Sequence, residues 1–169
     1  NNIAGSYDLL NHLLSFGIDK RWRKKLIGRV MIRNPKRVLD IACGTGDLTL
    51  ALYKKGIEVT GLDIADKMME VAKVKCHKYS MKQSSLKSIK EPDFVCASAD
   101  SIPFDDKSFD AVTIGFGIRN FENRGESLLE INRVLKNGGT LAILEFATPK
   151  NRLWRWIFGL YFLKILPFI

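Results

Sequence analysis

The run Asp40-Ile41-Ala42-Cys43-Gly44-Thr45-Gly46-Asp47-Leu48-Thr49 decides how this chain is read. It follows Lys36-Arg37-Val38-Leu39, whose apolar residues continue into Ile41 and Ala42 as a short buried strand. It leads into Leu48, Leu50, Ala51 and Leu52, an apolar set that suits a helix. The predicted order is strand, glycine turn, helix. Gly44 and Gly46 permit a tight turn and let a ligand lie against the backbone with no Cβ between, while the first N–H groups of the helix remain as donors. A turn of this kind has the form of a nucleotide site.

The flanks choose among nucleotides. A dinucleotide fingerprint asks for Gly-x-Gly-x-x-Gly/Ala, and the third position here is Thr49, so the close helix-to-strand packing of that motif is not specified. Asp40, at the end of the strand, would repel a pyrophosphate and attract a cation. S-adenosylmethionine carries a sulfonium and an ammonium and no phosphate. Asp63 closes the next strand, Glu58-Val59-Thr60-Gly61-Leu62-Asp63, about 20 residues on, where an acid accepts from ribose hydroxyls. A lone Gly-x-Gly is more often only a turn, and a strand-ending Asp is often a helix N-cap. Found together and in this order, Asp40 and Asp63 around Gly44-Thr45-Gly46 resemble a class I methyltransferase site.

Composition fits one globular domain: 169 residues, 46% hydrophobic and 27% charged, with enough apolar material for a core and no disorder signature. The net charge of +9 comes mainly from two stretches. Lys20 to Arg37 holds nine Lys or Arg beside the single acid Asp19, and Lys73 to Lys90 holds six more with no acid between. A basic face suits nucleic acid, an anionic membrane surface, or plain solvation. Cys43, Cys76 and Cys96 are odd in number, sit in or beside predicted buried elements and lack Cys-x-x-Cys spacing, which argues for a reducing compartment and against disulfides and zinc. His12 and His77 have no neighbours with which to form a metal cluster, so no metal is expected. No signal peptide is visible at Asn1, and no apolar run reaches the roughly 18 residues of a membrane span. The abrupt ends, at Asn1-Asn2 and at Leu166-Pro167-Phe168-Ile169, suggest a fragment.

Taken in order, residues 6–16 place Leu9, Leu10, Leu13 and Leu14 on one side of a helix, and Asp19 is expected to cap a second helix carrying Trp22, Leu26, Ile27 and Val30. Strand two follows at Glu58 to Leu62. A helix follows from Ala65 to Cys76 with Met68, Ala72 and Cys76 spaced by four, and Met81 to Glu91 is polar and basic, hence loop. Strand three is expected at Asp93 to Ser98 and strand four at Phe109 to Phe116. A helix from Gly125 to Lys136 is expected to stop at Asn137-Gly138-Gly139 as a left-handed cap. Thr140 to Phe146 is strand five, and Asn151 to Leu166 a last apolar helix. Strands alternating with helices imply an α/β, doubly wound, mainly parallel sheet with helices on both faces and the site at its carboxyl edge.

Several segments also match a known family. Tyr7-Asp8, Leu10-Asn11 and Leu14-Ser15 followed by Trp22, then Gly44-Thr45-Gly46-Asp47, then Phe116-Gly117-Ile118-Arg119-Asn120, then Arg133-Val134-Leu135-Lys136-Asn137-Gly138-Gly139 and Leu144-Glu145-Phe146 resemble the quinone-biosynthesis C-methyltransferases of the UbiE/MenG type. The resemblance covers nearly the whole chain, and the Gly-Ile-Arg-Asn stretch with the N-terminal Tyr-Asp is its most specific part. Departures are Asp19 for the usual His, Asn137 for Pro and Ala147 for Ser, none in the cofactor loop. The family continues beyond this C-terminus with two further strands, so the Rossmann-like sheet is expected to stop at strand five.

The resemblance implies a domain plan and an activity. Residues 1–34 would form a helical substrate lid, and residues 35–169 an S-adenosylmethionine-binding methyltransferase domain that is C-terminally incomplete. The reaction would be methyl transfer from S-adenosylmethionine to a ring carbon of a polyprenyl hydroquinone, demethylmenaquinol or a ubiquinol precursor. The cofactor set on this reading is Asp40, Ala42, Gly44, Thr45, Gly46, Asp63, Ile64, Ser98, Ala99, Asp100 and Gly115, with Ser98 to Asp100 reading the adenine. Tyr7, Asn11 and Phe116 would meet the substrate, and Arg119 and Asn120 would be catalytic. The guanidinium would stabilise a phenolate and the amide would orient the ring oxygen or a water. His12 is a base candidate beside a capping or solvent role.

The expected place is the cytoplasm, with peripheral contact at the inner face of an anionic membrane and room for a homo-oligomer. Asn151 to Ile169, rich in Trp, Phe and Tyr with Arg152, Arg155 and Lys164 as its charges, is either an interfacial helix or one that packs on the sheet. Rival readings are a nucleic-acid methyltransferase, invited by the charge, and a non-catalytic cofactor-binding assembly module. Against nucleic acid stands Gly115-Phe116-Gly117-Ile118, where such enzymes carry an Asn-Pro-Pro-Tyr or Asp-Pro-Pro-Tyr tetrad.

Overall fold

The computed structural model describes residues 18–82 and 89–145. Helix α1 spans Ile18–Met31. Then follow β1 (Arg37–Ile41), α2 (Asp47–Tyr53), β2 (Glu58–Asp63), α3 (Asp66–Ser80), β3 (Asp93–Cys96) and β4 (Phe109–Gly115). A 3₁₀ turn at Ile118–Asn120 leads to α4 (Arg124–Val134) and β5 (Leu135–Leu144). The predicted helix at residues 6–16, most of the predicted loop at 81–91 and the segment 151–169 lie outside the described residues.

The strands form one parallel sheet in the order β3-β2-β1-β4-β5. Period-two alternation in the strands distributes the core between two faces. Val38 points to the side covered by Leu26, Ile27 and Val30 of α1 and Leu48, Leu52 and Tyr53 of α2. Leu39 and Ile41 point to the other side, with Ile131 and Val134 of α4 and Phe109, Val112 and Ile114. Helices on both faces with every strand pair parallel make the doubly wound architecture expected from the sequence. Strand order reverses between β1 and β4, and their carboxyl ends diverge into a crevice at this switch point.

Several boundaries differ from expectation, for physical reasons. Asp19 does not precede the helix as a cap; it lies in the first turn, 3% exposed, and pairs with Arg23 at 3.0 Å one turn on. The helix after β2 continues to Ser80, and Met69 rather than Met68 joins Ala72 and Cys76 in the core. Strand β2 runs to Asp63, the acid expected to close it, whereas β3 stops at Cys96 and β4 at Gly115. Cys96 stands exposed on the edge strand, unlike the buried Cys43 and Cys76.

The clearest difference is at the end of α4. The helix stops at Val134, and Leu135 is already extended and paired with Phe109. Asn137-Gly138-Gly139 therefore does not cap a helix but forms a bulge, because Ala111 pairs with Thr140 and Asp110 alone stands opposite residues 136–139. Asp110 holds that bulge: Oδ1 accepts from Lys136 Nζ at 2.7 Å, and Oδ2 accepts from the backbone N–H groups of Lys36 and Arg37. Burial alone would raise its pKa, and these donors outweigh it and lower it.

Candidate active site

The crevice opens into a cavity of about 550 Å³ that reaches from the glycine loop to the ends of β2, β3 and β4. At its floor, Asp40 is 1% exposed and sits in mid-sheet between Gly61 and Thr113. Its Oδ2 accepts from the hydroxyl of Thr49 at 2.6 Å and its Oδ1 from that of Thr113 at 2.8 Å. Burial pushes its pKa up from 3.8 to about 6, against the pull of the two hydroxyls and of Arg23. Asp40 is thus a clamped, buried acid, not an open strand-end carboxylate.

Asp63 lies at the end of β2 and binds two loops at once. Its Oδ2 accepts from Gly44 N–H at 2.7 Å and its Oδ1 from Ala65 N–H at 2.8 Å, the residue that opens α3. Four oxygen lone pairs leave acceptor capacity for a ligand hydroxyl beyond these two bonds.

The two glycines have different work. Gly44 has φ +54° and only the flexible end of Met68, 3.3 Å from where a Cβ would lie, so its place faces the cavity. Gly46 has φ +76°, and a Cβ there would lie 2.5 Å from Ala72 Cβ. The packing of α3 on the loop therefore requires a glycine here. The helix N-terminus after it does not stand open either. Asp47 occupies it and accepts from Arg23 Nη1 at 3.0 Å and Lys75 Nζ at 2.9 Å.

Across the switch point, β4 ends at Gly115 and Phe116 turns left-handed at φ 61°, as Ala42 does at φ 54° beyond β1. Non-glycine residues in this region are strained, and here both mark the lips of the crevice. Phe116 is held by its N–H on Leu144 O at 2.7 Å and by Trp22, whose ring centroid is 6.4 Å away. Gly117, Asn120, Phe121 and Glu122 continue the wall.

Of the residues singled out in the sequence, Asp40, Ala42, Gly44, Thr45, Asp63, Ile64, Ser98, Ala99, Asp100, Gly115, Phe116 and Asn120 all border this one cavity. Gly46 does not. Arg119 stands outside the lining, with Nη1 on Glu145 Oε1 at 2.8 Å, and Arg124 fixes its turn by donating to the carbonyls of Ile118 and Arg119. Tyr7, Asn11 and His12 lie outside the described residues.

Sequence reasoning missed Thr49, Thr113 and Arg23. In the sequence Thr49 stands where a dinucleotide motif has its third glycine, and only the fold brings its hydroxyl to Asp40. Thr113 was legible as a polar interruption in Ala111-Val112-Ile114, in register with Asp40. It also missed Arg133, which spends its guanidinium on Glu130, Asp106 and the carbonyls of Phe104 and Ile102, and so pins the segment after the β3 loop.

The ubiE/COQ5 methyltransferase family matches residues 1–169. The chain is 41% identical over 170 residues to a demethylmenaquinone methyltransferase of Thermotoga maritima, covering 99% of this chain and 69% of that one. It is 42% identical over 169 residues to a ubiquinone/menaquinone biosynthesis C-methyltransferase of a Geobacter species, covering 98% and 69%. A solved SAM-dependent methyltransferase of Methanosarcina mazei superposes with a TM-score of 0.59 at 30% identity, over 71% of this chain and 57% of that one.

Proposed function

The chain belongs to the ubiE/COQ5 methyltransferase family, and from that premise we propose that it transfers a methyl group from S-adenosylmethionine to a ring carbon of a polyprenyl hydroquinone. It is a C-methyltransferase of the demethylmenaquinone methyltransferase type. The observation that carries the reading is that Phe116, Gly117 and Asn120 and the Gly44–Asp63 pair border the same cavity.

The cavity suits the cofactor in size and chemistry. A volume of about 550 Å³ lies within the range of small-molecule sites. Asp63 stands where ribose hydroxyls would donate, Gly44 leaves room for the cofactor to approach the loop, and Ser98 to Asp100, in the turn that follows β3, would read the adenine. The acids around the cavity favour a cationic ligand. When bound, the cofactor supplies a methyl group already activated on sulfur.

What remains for the protein is to hold the ring carbon in line and to raise its nucleophilicity. A hydroquinone gains greatly on losing a proton from a phenol whose pKa is roughly 10 by analogy with tyrosine. Arg119 would stabilise the phenolate as a permanent cation, Asn120 would orient the ring oxygen, and Phe116 with Trp22 would wall the ring against water. Alignment supplies most of the acceleration. Tyr7 and Asn11 would complete the substrate side in a lid formed by residues 1–34.

The reading extends to a membrane surface, where a polyprenyl substrate resides. Lys20, Arg21, Lys24, Lys25 and Arg29 of α1 are exposed near Trp22, a distribution that suits anionic lipid, with residues 151–169 as a second contact and the cytoplasm as the compartment. The relatives, named for quinone biosynthesis, do not favour the nucleic-acid or non-catalytic alternatives.

The deciding experiment is a transfer assay with methyl-labelled cofactor and short-chain demethylmenaquinol, with mass analysis of the product. Label on a ring carbon is expected; label absent from the quinol, or found on oxygen, overturns the proposal.

A further inference from the structure

We infer that Arg23 anchors the α-carboxylate of the cofactor's amino-acid end, an inference that rests on the cofactor reading above. Among the described residues that line the cavity, five carry carboxyl groups, Asp40, Asp47, Asp63, Asp100 and Glu122, and Arg23 alone is a cation. A ligand ending in an amino acid brings one ammonium and one carboxylate. Acceptors for the ammonium abound on these walls. For the carboxylate, the described walls offer neutral donors, backbone N–H groups and the side chains of Thr45, Ser98, Asn120 and Ser127, and one positive charge, that of Arg23.

Arg23 is built for that task. It projects from α1 into the glycine-loop end of the cavity, and its side chain is 17% exposed. Its Nη1 is held at 3.0 Å by both Asp19 and Asp47. Asp47 in turn gives its second oxygen to Lys75, so the charge it offers Arg23 is shared. Among the described residues the partners of Arg23 all meet Nη1, and a guanidinium has five donors in a planar fork. The two aspartates therefore fix its orientation without exhausting it, and a bidentate carboxylate contact is the geometry it favours. Its field reaches the cavity floor, where it pulls the pKa of Asp40 down against the larger effect of burial. Partial burial makes each of these interactions stronger than at a surface.

The test uses the full chain and three probes measured by calorimetry: S-adenosylmethionine, its decarboxylated analogue, and 5′-methylthioadenosine, which lacks the amino-acid end. The wild type is expected to bind the decarboxylated analogue about tenfold or more weakly than S-adenosylmethionine, the scale of a charge-assisted contact. In Arg23→Gln, affinity for S-adenosylmethionine should fall by about ten- to a hundredfold while the other two probes bind as before, so discrimination disappears. Arg23→Lys keeps the charge and the pairs with Asp19 and Asp47, and should fall between the two. It guards against a Gln variant that does not fold. Discrimination in Arg23→Gln or Arg23→Lys equal to wild type overturns the inference, and so does an equal loss for all three probes, which is the mark of a structural role. A wild type that binds none of the three overturns the cofactor reading and the anchor with it.

Discussion

The carboxylate of Asp63 accepts the N–H of Gly44 at 2.7 Å, so the end of β2 holds the loop that follows β1 before any ligand arrives. The second oxygen holds Ala65 in the same way. Asp63→Ala is therefore expected to do two things: weaken S-adenosylmethionine binding, and cost ~1–3 kcal/mol of stability by leaving two backbone donors without their acceptor. Calorimetry and urea unfolding measure these separately. Loss of affinity with unchanged stability would show that the loop keeps its shape without the clamp.

Gly46 and Ala72 give a second prediction. Gly46→Ala places a Cβ 2.5 Å from Ala72 Cβ at a φ of +76°, and should destabilise by more than ~2 kcal/mol. Gly44→Ala, with only the end of Met68 nearby, should cost about 1 kcal/mol and act mainly on cofactor affinity. The pair Gly46→Ala with Ala72→Gly should be less destabilised than the sum of the single changes, since the clashing methyl is gone. Strict additivity in unfolding measurements would exclude the contact.

What could be read in advance follows from where each signal resides. The parallel sheet was legible because Val38, Leu39 and Ile41 belong to an apolar run of strand length and each later run repeats the pattern. The cavity was legible because strand ends fix the positions of Asp63 and Gly115, with Ser98 two residues beyond the end of β3. The function of Gly46 was not, because its reason lies 26 residues away on α3 in Ala72. Nor was the bulge at Lys136 to Gly139, since a left-handed glycine after a helix looks the same in sequence whether it ends the helix or interrupts the next strand. Arg23 escaped notice as one of nine basic residues, and only its burial between Asp19 and Asp47 sets it apart.

Asp40 predicts a pH dependence with a definite sign. Its pKa in the folded protein is raised from 3.8 to about 6, so in that window the folded state binds more protons than the unfolded. Stability from this group is present below the window and declines as pH rises through it, by ~3 kcal/mol at most. Asp40→Asn keeps a side chain that can pair with the hydroxyls of Thr49 and Thr113, and should remove the decline. Cofactor affinity should run the other way in the wild type, weakening as pH falls through about 6 because the cationic ligand loses its counter-charge. Unfolding curves and binding constants measured in both proteins from about pH 5 to about pH 8 test this. Identical pH profiles would remove Asp40 from both roles.

The last prediction concerns Arg119, whose Nη1 donates to Glu145 Oε1 at 2.8 Å while Arg124 holds the carbonyls of Ile118 and Arg119 itself. A guanidinium has donors enough for Glu145 and a phenolate together, in fixed directions; an ammonium has three donors on one atom and must divide them. Arg119→Lys should therefore keep the charge and the fold yet lower kcat by about tenfold or more, with the cofactor Kd within about twofold of wild type. Glu145→Gln should lower kcat less, because it loosens the orientation of Arg119 and leaves its charge. Since the phenolate forms only on the path to reaction, these losses should appear in kcat and kcat/KM together and not in KM alone. A change confined to KM would assign Arg119 to substrate binding, and wild-type turnover in Arg119→Lys would remove it from the chemistry.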